Sequence, residues 1–250
     1  MRHSSEHGAE AGALVQGRGA FMGRIELEIY TPGYVPNGRE VAVIETARGT
    51  VRAELFGREV PITVGNFIEL AAKGFYDNLK FHAKKPGSVV LGGCPTTRTM
   101  GPAQVLAAAQ GAIRGMHPGT GDARYTIIDE WEGNPRNRHV LGSLCMAHKS
   151  APNSGSCQFY FSLGDQPEFD DKYTVFGQVT EGLEVIEQLA IGDAIRTIAI
   201  EGADEEALAA AIARETPRPP TPQEALAAIE RERAERAAAE AAAVAGEAAE

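Results

Sequence analysis

Residues 140–163 read VLGSLCMAHKSAPNSGSCQFYFSL, and the fold turns on how this run divides. It opens as a strand pattern, breaks at His148–Ser156 into a polar loop of turn formers, and resumes with Gln158-Phe159-Tyr160-Phe161. Pro152, Asn153, Ser154 and Gly155 favour a turn with accessible backbone amides. On a strand Gln158 and Tyr160 share one face, and Phe159 and Phe161 share the other. One face then presents an amide and a phenol beside a loop of backbone donors, which suits a groove for an extended peptide. Two core strands joined by a turn fit the same residues.

Working upstream, Val41–Thr46 and Thr50–Phe56 read as strands around Ala47-Arg48-Gly49. Pro61 opens a helix in which Val64, Phe67, Ile68 and Ala71 recur at helical spacing, with Gly74 as its stop. Leu79–Ala83 and Ser88–Gly93 are short strands about a Pro86-Gly87 turn. The segment 97–118 is Ala-rich enough for a helix over Ala103–Arg114, interrupted by Gly111. Downstream, a helix is predicted over Thr180–Gly192, with Leu183, Ile186 and Leu189 inward, and a last strand over Ile195–Ile200.

The flanks have a different composition. Residues 1–20 lack periodicity and are expected to be disordered, whereas Arg24–Tyr30 alternates Ile25, Leu27 and Ile29 with glutamates, a half-buried strand pattern. Beyond residue 200, Asp204–Arg214 is helix-prone. Thr216–Pro222 is a proline linker, and the remainder is rich in Ala, Glu and Arg. Thr221 and Glu224 there have capping-box spacing. The organisation expected is an N-terminal extension (1–40), a domain (41–200) with an insertion at about 97–118, and a partly helical tail (201–250).

A net charge of -10 argues against a nucleic-acid partner, which needs clustered Lys and Arg. No run of about 18 apolar residues suggests a membrane span, and no basic stretch followed by a long apolar run suggests a leader. Cys94, Cys145 and Cys157 are an odd, scattered set without metal-site spacing, so free thiols in a reducing compartment, the cytoplasm, are expected. No cofactor or metal is expected, and a monomer is.

The run from Gly142 to Phe161, then Phe169-DDKYTVFGQV, and upstream Val41 to Thr96 in the same order, resemble the cyclophilin family in its bacterial form. The resemblance covers roughly residues 41–200. It implies a mainly β fold, a closed eight-stranded antiparallel barrel capped by two helices, and peptidyl-prolyl isomerase activity on proline-containing peptide or protein clients. The substrate-binding positions it implies are His82, Val89, Met146, Ala147, His148, Gln158, Phe159, Tyr160, Phe169 and Tyr173.

The chain departs from the family where the chemistry lies. Rotation about X-Pro faces a barrier of about 18–20 kcal/mol with no bond made or broken, so a catalyst must hold the twisted amide better than the planar one. The family's arginine after Phe-His is Ala83 here. Its Phe-Met pair is Ser88-Val89, its glutamine before Gly-Gly is Leu91, and the aspartate after Gly-Gly is Cys94. Lys84, Lys85, Arg98 and Arg114 are the candidates for a replacement cation. Weakened catalysis is therefore expected. The alternatives are a non-catalytic module of the same fold that binds proline-containing peptides or a partner protein, and a scaffold whose groove its own insertion plugs.

Overall fold

The computed structural model describes residues 27–115, 117–214 and 216. Residues 1–20, expected to be disordered, the start of the strand expected over Arg24–Tyr30, most of the expected proline linker and the expected capped tail helix lie outside them. Eight strands form one antiparallel sheet in the order β3-β4-β6-β5-β7-β2-β1-β8. They are β1 (Val41–Thr46), β2 (Thr50–Leu55), β3 (Ala83–Lys85), β4 (Val89–Gly92), β5 (Ser143–Met146), β6 (Phe159–Ser162), β7 (Val175–Glu181) and β8 (Ile195–Glu201). Alternation is visible in the burial itself: Ala42 and Ile44 on β1, and Val51, Ala53 and Leu55 on β2, are buried while their neighbours are not.

The sheet curls until its ends meet. Closure comes from backbone bonds outside the ladders. Asn78 N–H donates to Ile195 O (2.9 Å), Ile195 N–H to Leu79 O (2.7 Å), and Phe81 N–H to Asp193 O (2.9 Å). That corrects the strand predicted over Leu79–Ala83. Those residues spend their backbone groups on the closing seam, and regular pairing starts only at Ala83, opposite Leu91.

Helix α1 (Pro61–Ala72) plugs the barrel, with Val64, Phe67 and Ile68 fully buried. Phe67 meets Phe159 edge-on at 5.6 Å and Phe176 at 5.1 Å, so helix and sheet share one aromatic core. Three more helices accompany it: α2 (Pro102–Ala109), α3 (Leu183–Gln188) and α4 (Glu205–Ile212). The insertion helix ends before Arg114 because Gly111 takes φ 73°. The helix predicted over Thr180–Gly192 is shorter, since Thr180 and Glu181 stay in β7 and Gly182 turns the chain at φ 90°. Leu183 consequently lies at the surface, 36% exposed, while Ile186 and Leu189 go inward.

Among the described residues the N-terminal segment runs as an arm: one bridge joins Ile29 to Thr126, and Ile29 is exposed while Tyr30 is buried, the reverse of the phase expected for this pair. Two buried carboxylates hold the arm. Glu69 of α1 accepts from Tyr30 Oη (2.6 Å), Gly33 N (2.6 Å) and Tyr34 N (2.8 Å). Glu40 accepts from Tyr34 Oη (2.9 Å) and from the amides of Asn37 (2.6 Å) and Gly38 (2.8 Å). Tyr34 Oη in turn accepts the Asp204 amide, tying the arm to α4.

Replacing Glu69 with Ala strands two backbone donors and a phenol in a buried site, at about 1–3 kcal/mol per unsatisfied group. Glu69→Ala is expected to lower the thermal midpoint by at least several degrees, at about 2–4 °C per kcal/mol for this size. It should also open residues 30–36 to limited proteolysis. An unchanged midpoint and cleavage pattern would show that the arm is held by something else.

Candidate active site

The register of the sheet places the departures from the family pattern in one line. Ala83 opposes Leu91, Leu91 opposes Tyr160, and Tyr160 opposes Cys145. Directly opposed residues share a face, so this row lies on the face away from the aromatic core. Gln158 belongs to that face and Phe159 and Phe161 to the other, both with no exposure. Phe159 is therefore a core residue and not a groove residue. Met146 opposes Phe159 and is 3% exposed, so it too supports the core rather than the groove wall.

A cleft of about 340 Å³ runs beside the row. His82, Ala83 and Leu91 line one side, the loop Pro118–Asp122 lines another, and Ala147, His148, Lys149 and Gln158 complete it. The insertion contributes only this returning limb. Its helix α2 packs away from the cleft, where Met100, Val105 and Ala108 make a small cluster with Ile191. The cleft is left open, against the alternative of a groove plugged by the insertion.

Next to it stands an aromatic cluster. Tyr160 and Phe169 meet edge-on at 6.5 Å, Tyr160 and Tyr173 at 6.0 Å, and Phe169 and Tyr173 at 5.4 Å. Phe169 and Tyr173 are half-buried, and Val89 lies half-buried at the start of β4, on the face of Leu91. His148 covers Tyr173 at 4.5 Å, and its ring nitrogens lie 2.5 and 2.6 Å from the carbonyls of Lys149 and Lys172. These contacts bring Val89, Ala147, His148, Gln158, Tyr160, Phe169 and Tyr173 to one side of the sheet.

Polar groups of the cleft are partly committed. Gln158 Nε2 donates to Gly119 O (2.9 Å) and Gly121 O (2.7 Å). Cys94, at the family's aspartate position, accepts the Gly119 amide at 3.1 Å and so holds the same loop. His82 is 4% exposed, and burial pushes its pKa down to about 4, so it is neutral at pH 7. It is no stand-in for a cation.

None of the four candidate cations lines the cleft. Lys84 Nζ is bound by the carbonyls of Glu187 and Leu189, both at 2.7 Å, at the C-terminal end of α3. Arg98 donates to Phe75 O (2.5 Å) and Asp77 O (2.8 Å) on the flank of the barrel. Lys85 and Arg114 are exposed elsewhere. The cation that does line the cleft is Lys149, 3.7 Å from Asp122 across its mouth. Sequence reasoning missed this pair, and no spacing links residues 27 apart on two loops. It also missed His139 and Asp170, which are hydrogen-bonded behind Tyr160.

A model of the "Cyclophilin type peptidyl-prolyl cis-trans isomerase/CLD" family matches residues 41–205. The chain is 40% identical over 152 residues to peptidyl-prolyl cis-trans isomerase B of Bacillus subtilis, covering 61% of this chain and 91% of that protein. To a peptidyl-prolyl cis-trans isomerase of Synechococcus elongatus it is 37% identical over 161 residues, or 64% and 94% of the two chains. A cyclophilin-type isomerase from Cryptosporidium parvum, solved in the presence of the dipeptide Ala-Pro, superposes with a TM-score of 0.52 at 24% identity. The match covers 65% of this chain and 99% of that one, and it speaks for the fold alone. With a family model matched across the whole barrel, and relatives of this identity matched over nearly their full length, the chain belongs to the cyclophilin-type peptidyl-prolyl cis-trans isomerase family.

Proposed function

We propose that the chain is a peptidyl-prolyl cis-trans isomerase that takes an X-Pro segment of a protein client. The proline ring would rest against Tyr160, Phe169, Tyr173 and Val89, with the preceding residues running along the cleft past Gln158 and Ala147. The observation that carries this is the juxtaposition of a half-buried aromatic cluster with an open, partly polar cleft on one sheet face. Three buried, unpaired thiols support a reducing setting such as the cytoplasm.

Catalysis without the arginine uses fewer forces. A planar amide is more polar than a twisted one, so moving it from water into an apolar site favours the twisted form. What is missing is a fixed charge at the prolyl nitrogen as it becomes pyramidal, the term that depends most on position. The non-catalytic alternative has one specific support: Ala83 sits where the charge would be, and Lys84 and Arg98 are bound to carbonyls away from the cleft.

Chemical-shift mapping with a short X-Pro peptide is expected to move Gln158, Tyr160, Phe169 and Tyr173. Shifts confined to other residues would remove the groove assignment.

Exchange NMR on the same peptide separates enzyme from binder, because the alternative predicts binding without exchange. Ala83→Arg is expected to raise the isomerisation rate. One preorganised donor is worth about 10²–10³ in rate, and the gain should be smaller because Leu91 and Ser88 also differ around it. Arg98→Ala is expected to leave the rate unchanged. Loss of activity in Arg98→Ala would show that the insertion supplies the cation after all.

A further inference from the structure

The floor of the aromatic cluster carries a group that an apolar socket does not require. Tyr160 is 4% exposed, and a buried phenol needs a hydrogen-bond partner. Its Oη lies 2.9 Å from His139 Nε2. The His139 side chain is fully buried, and its Nδ1 lies 3.0 Å from Asp170 Oδ1. The same carboxylate oxygen accepts the His139 amide at 2.8 Å, and Asp170 Oδ2 accepts from Arg138 Nη1 at 3.2 Å. Phe169 packs edge-on against His139 at 5.8 Å and edge-on against Tyr160, so one ring touches both members of the chain.

The direction of these bonds follows from the charges. Burial works to raise the pKa of Asp170, but the bonds from His139 and Arg138 outweigh it and hold the carboxyl below its usual range. An ionised carboxylate only accepts, so Nδ1 carries the imidazole proton. Burial lowers the pKa of His139 and the neighbouring carboxylates Asp170 and Glu168 oppose that, with a net fall below 6.5. The ring is therefore neutral at pH 7, Nε2 presents a lone pair, and the Tyr160 hydroxyl donates to it.

We propose that Asp170 and His139 are positioning residues, which set the proline socket through Tyr160 and make its hold on proline peptides weaken on acidification. This inference rests on the reading of the aromatic cluster as the socket. Protonation puts an N–H on Nε2, facing the phenol proton. The hydroxyl must turn to accept, and its proton then points towards the socket or the Cys145 thiol, which is a poor acceptor. The groups facing the pair are Asp170, Arg138 and Glu168 about His139, and Cys145 and Tyr173 about the phenol. The sign is fixed by the lowered pKa. The peptide-competent neutral form is full above 6.5 and is lost as pH falls through the folded value. Asp170 also lines a second, polar cleft of about 490 Å³ with Trp131 and Asn134, so the outer end of the chain reaches solvent.

The test uses the full chain and acetyl-Ala-Pro-Ala-amide, which has no titrating group. In the free protein at pH 7.5, long-range nitrogen–proton NMR should show His139 as the Nδ1–H tautomer; an Nε2–H tautomer overturns the inference. Peptide affinity in the wild type should fall about fivefold in total as pH is lowered from 7.5 through the protonation of His139, followed in the same NMR spectra, as for one net hydrogen bond. Tyr160→Phe keeps every other titrating group, His148 included, and should lose most of that dependence whatever its affinity at pH 7.5. Asp170→Asn should move the midpoint of the fall to lower pH, a displacement that a merely structural role would not produce. Equal wild-type affinity with His139 neutral and with it protonated, or an unchanged fall in Tyr160→Phe, refutes the inference alone. Absence of binding at pH 7.5 refutes the socket reading, and the inference with it.

Discussion

Strand β6 couples core and groove through a single alternation. Phe159 and Phe161 stack into the aromatic core with Phe67, Tyr76 and Phe81, while Gln158 and Tyr160 face the cleft and the socket. A slip of one residue would exchange the sets, turning two phenylalanines to the groove face and an amide and a phenol into the core. Fully burying one such phenylalanine contributes about 1.5–3 kcal/mol, and a buried amide without partners costs a comparable amount. Register here is therefore fixed by core packing. The groove inherits its geometry from the core.

That coupling explains what could be read in advance. Where burial is one-sided, sequence alternation reports the fold directly: β1, β2 and the helix from Pro61 lie where their patterns predicted, and β6, buried on both faces, follows its aromatic pattern. Failures occurred where backbone bonds rather than side chains decide. Leu79–Phe81 look like a strand because they are apolar, yet they serve the closing seam. Thr180 and Glu181 look helical because Leu183 and Ile186 follow, yet Gly182 at φ 90° separates strand from helix. The phase of the N-terminal arm was misread because its partner is a carboxylate on α1 and not a sheet.

For the groove, residue identity was legible but commitment was not. Gln158 was visible as a polar residue on the right face; that both its donors already serve the Gly119–Gly121 loop was not. Met146 and Phe159 follow the motif but are turned to the core by pairing with each other. Lys84 lies next to the gap left at Ala83 and Arg98 in the insertion, and carbonyl groups draw both away. Nearness along the chain is a poor guide to charge in a cleft, because a long cationic side chain goes to whichever oxygens its strand direction allows.

The substitutions about the groove are better understood together than singly. Removing the arginine lowers the local demand for anions and for polar ring edges, and the row Ala83-Leu91 becomes apolar. Tyr160, next in that row, brings polarity back, but its hydroxyl points behind the socket to a histidine and a carboxylate rather than towards the peptide. The charge behind the socket is thus a buried, hydrogen-bonded anion, and the cation that lines the cleft, Lys149, pairs with Asp122 at its mouth. An anion there cannot stabilise a developing lone pair on the prolyl nitrogen. It can hold three rings at fixed angles. A site built this way relies on shape and on exclusion of water, and those terms favour a peptide already bent towards the conformer that fits.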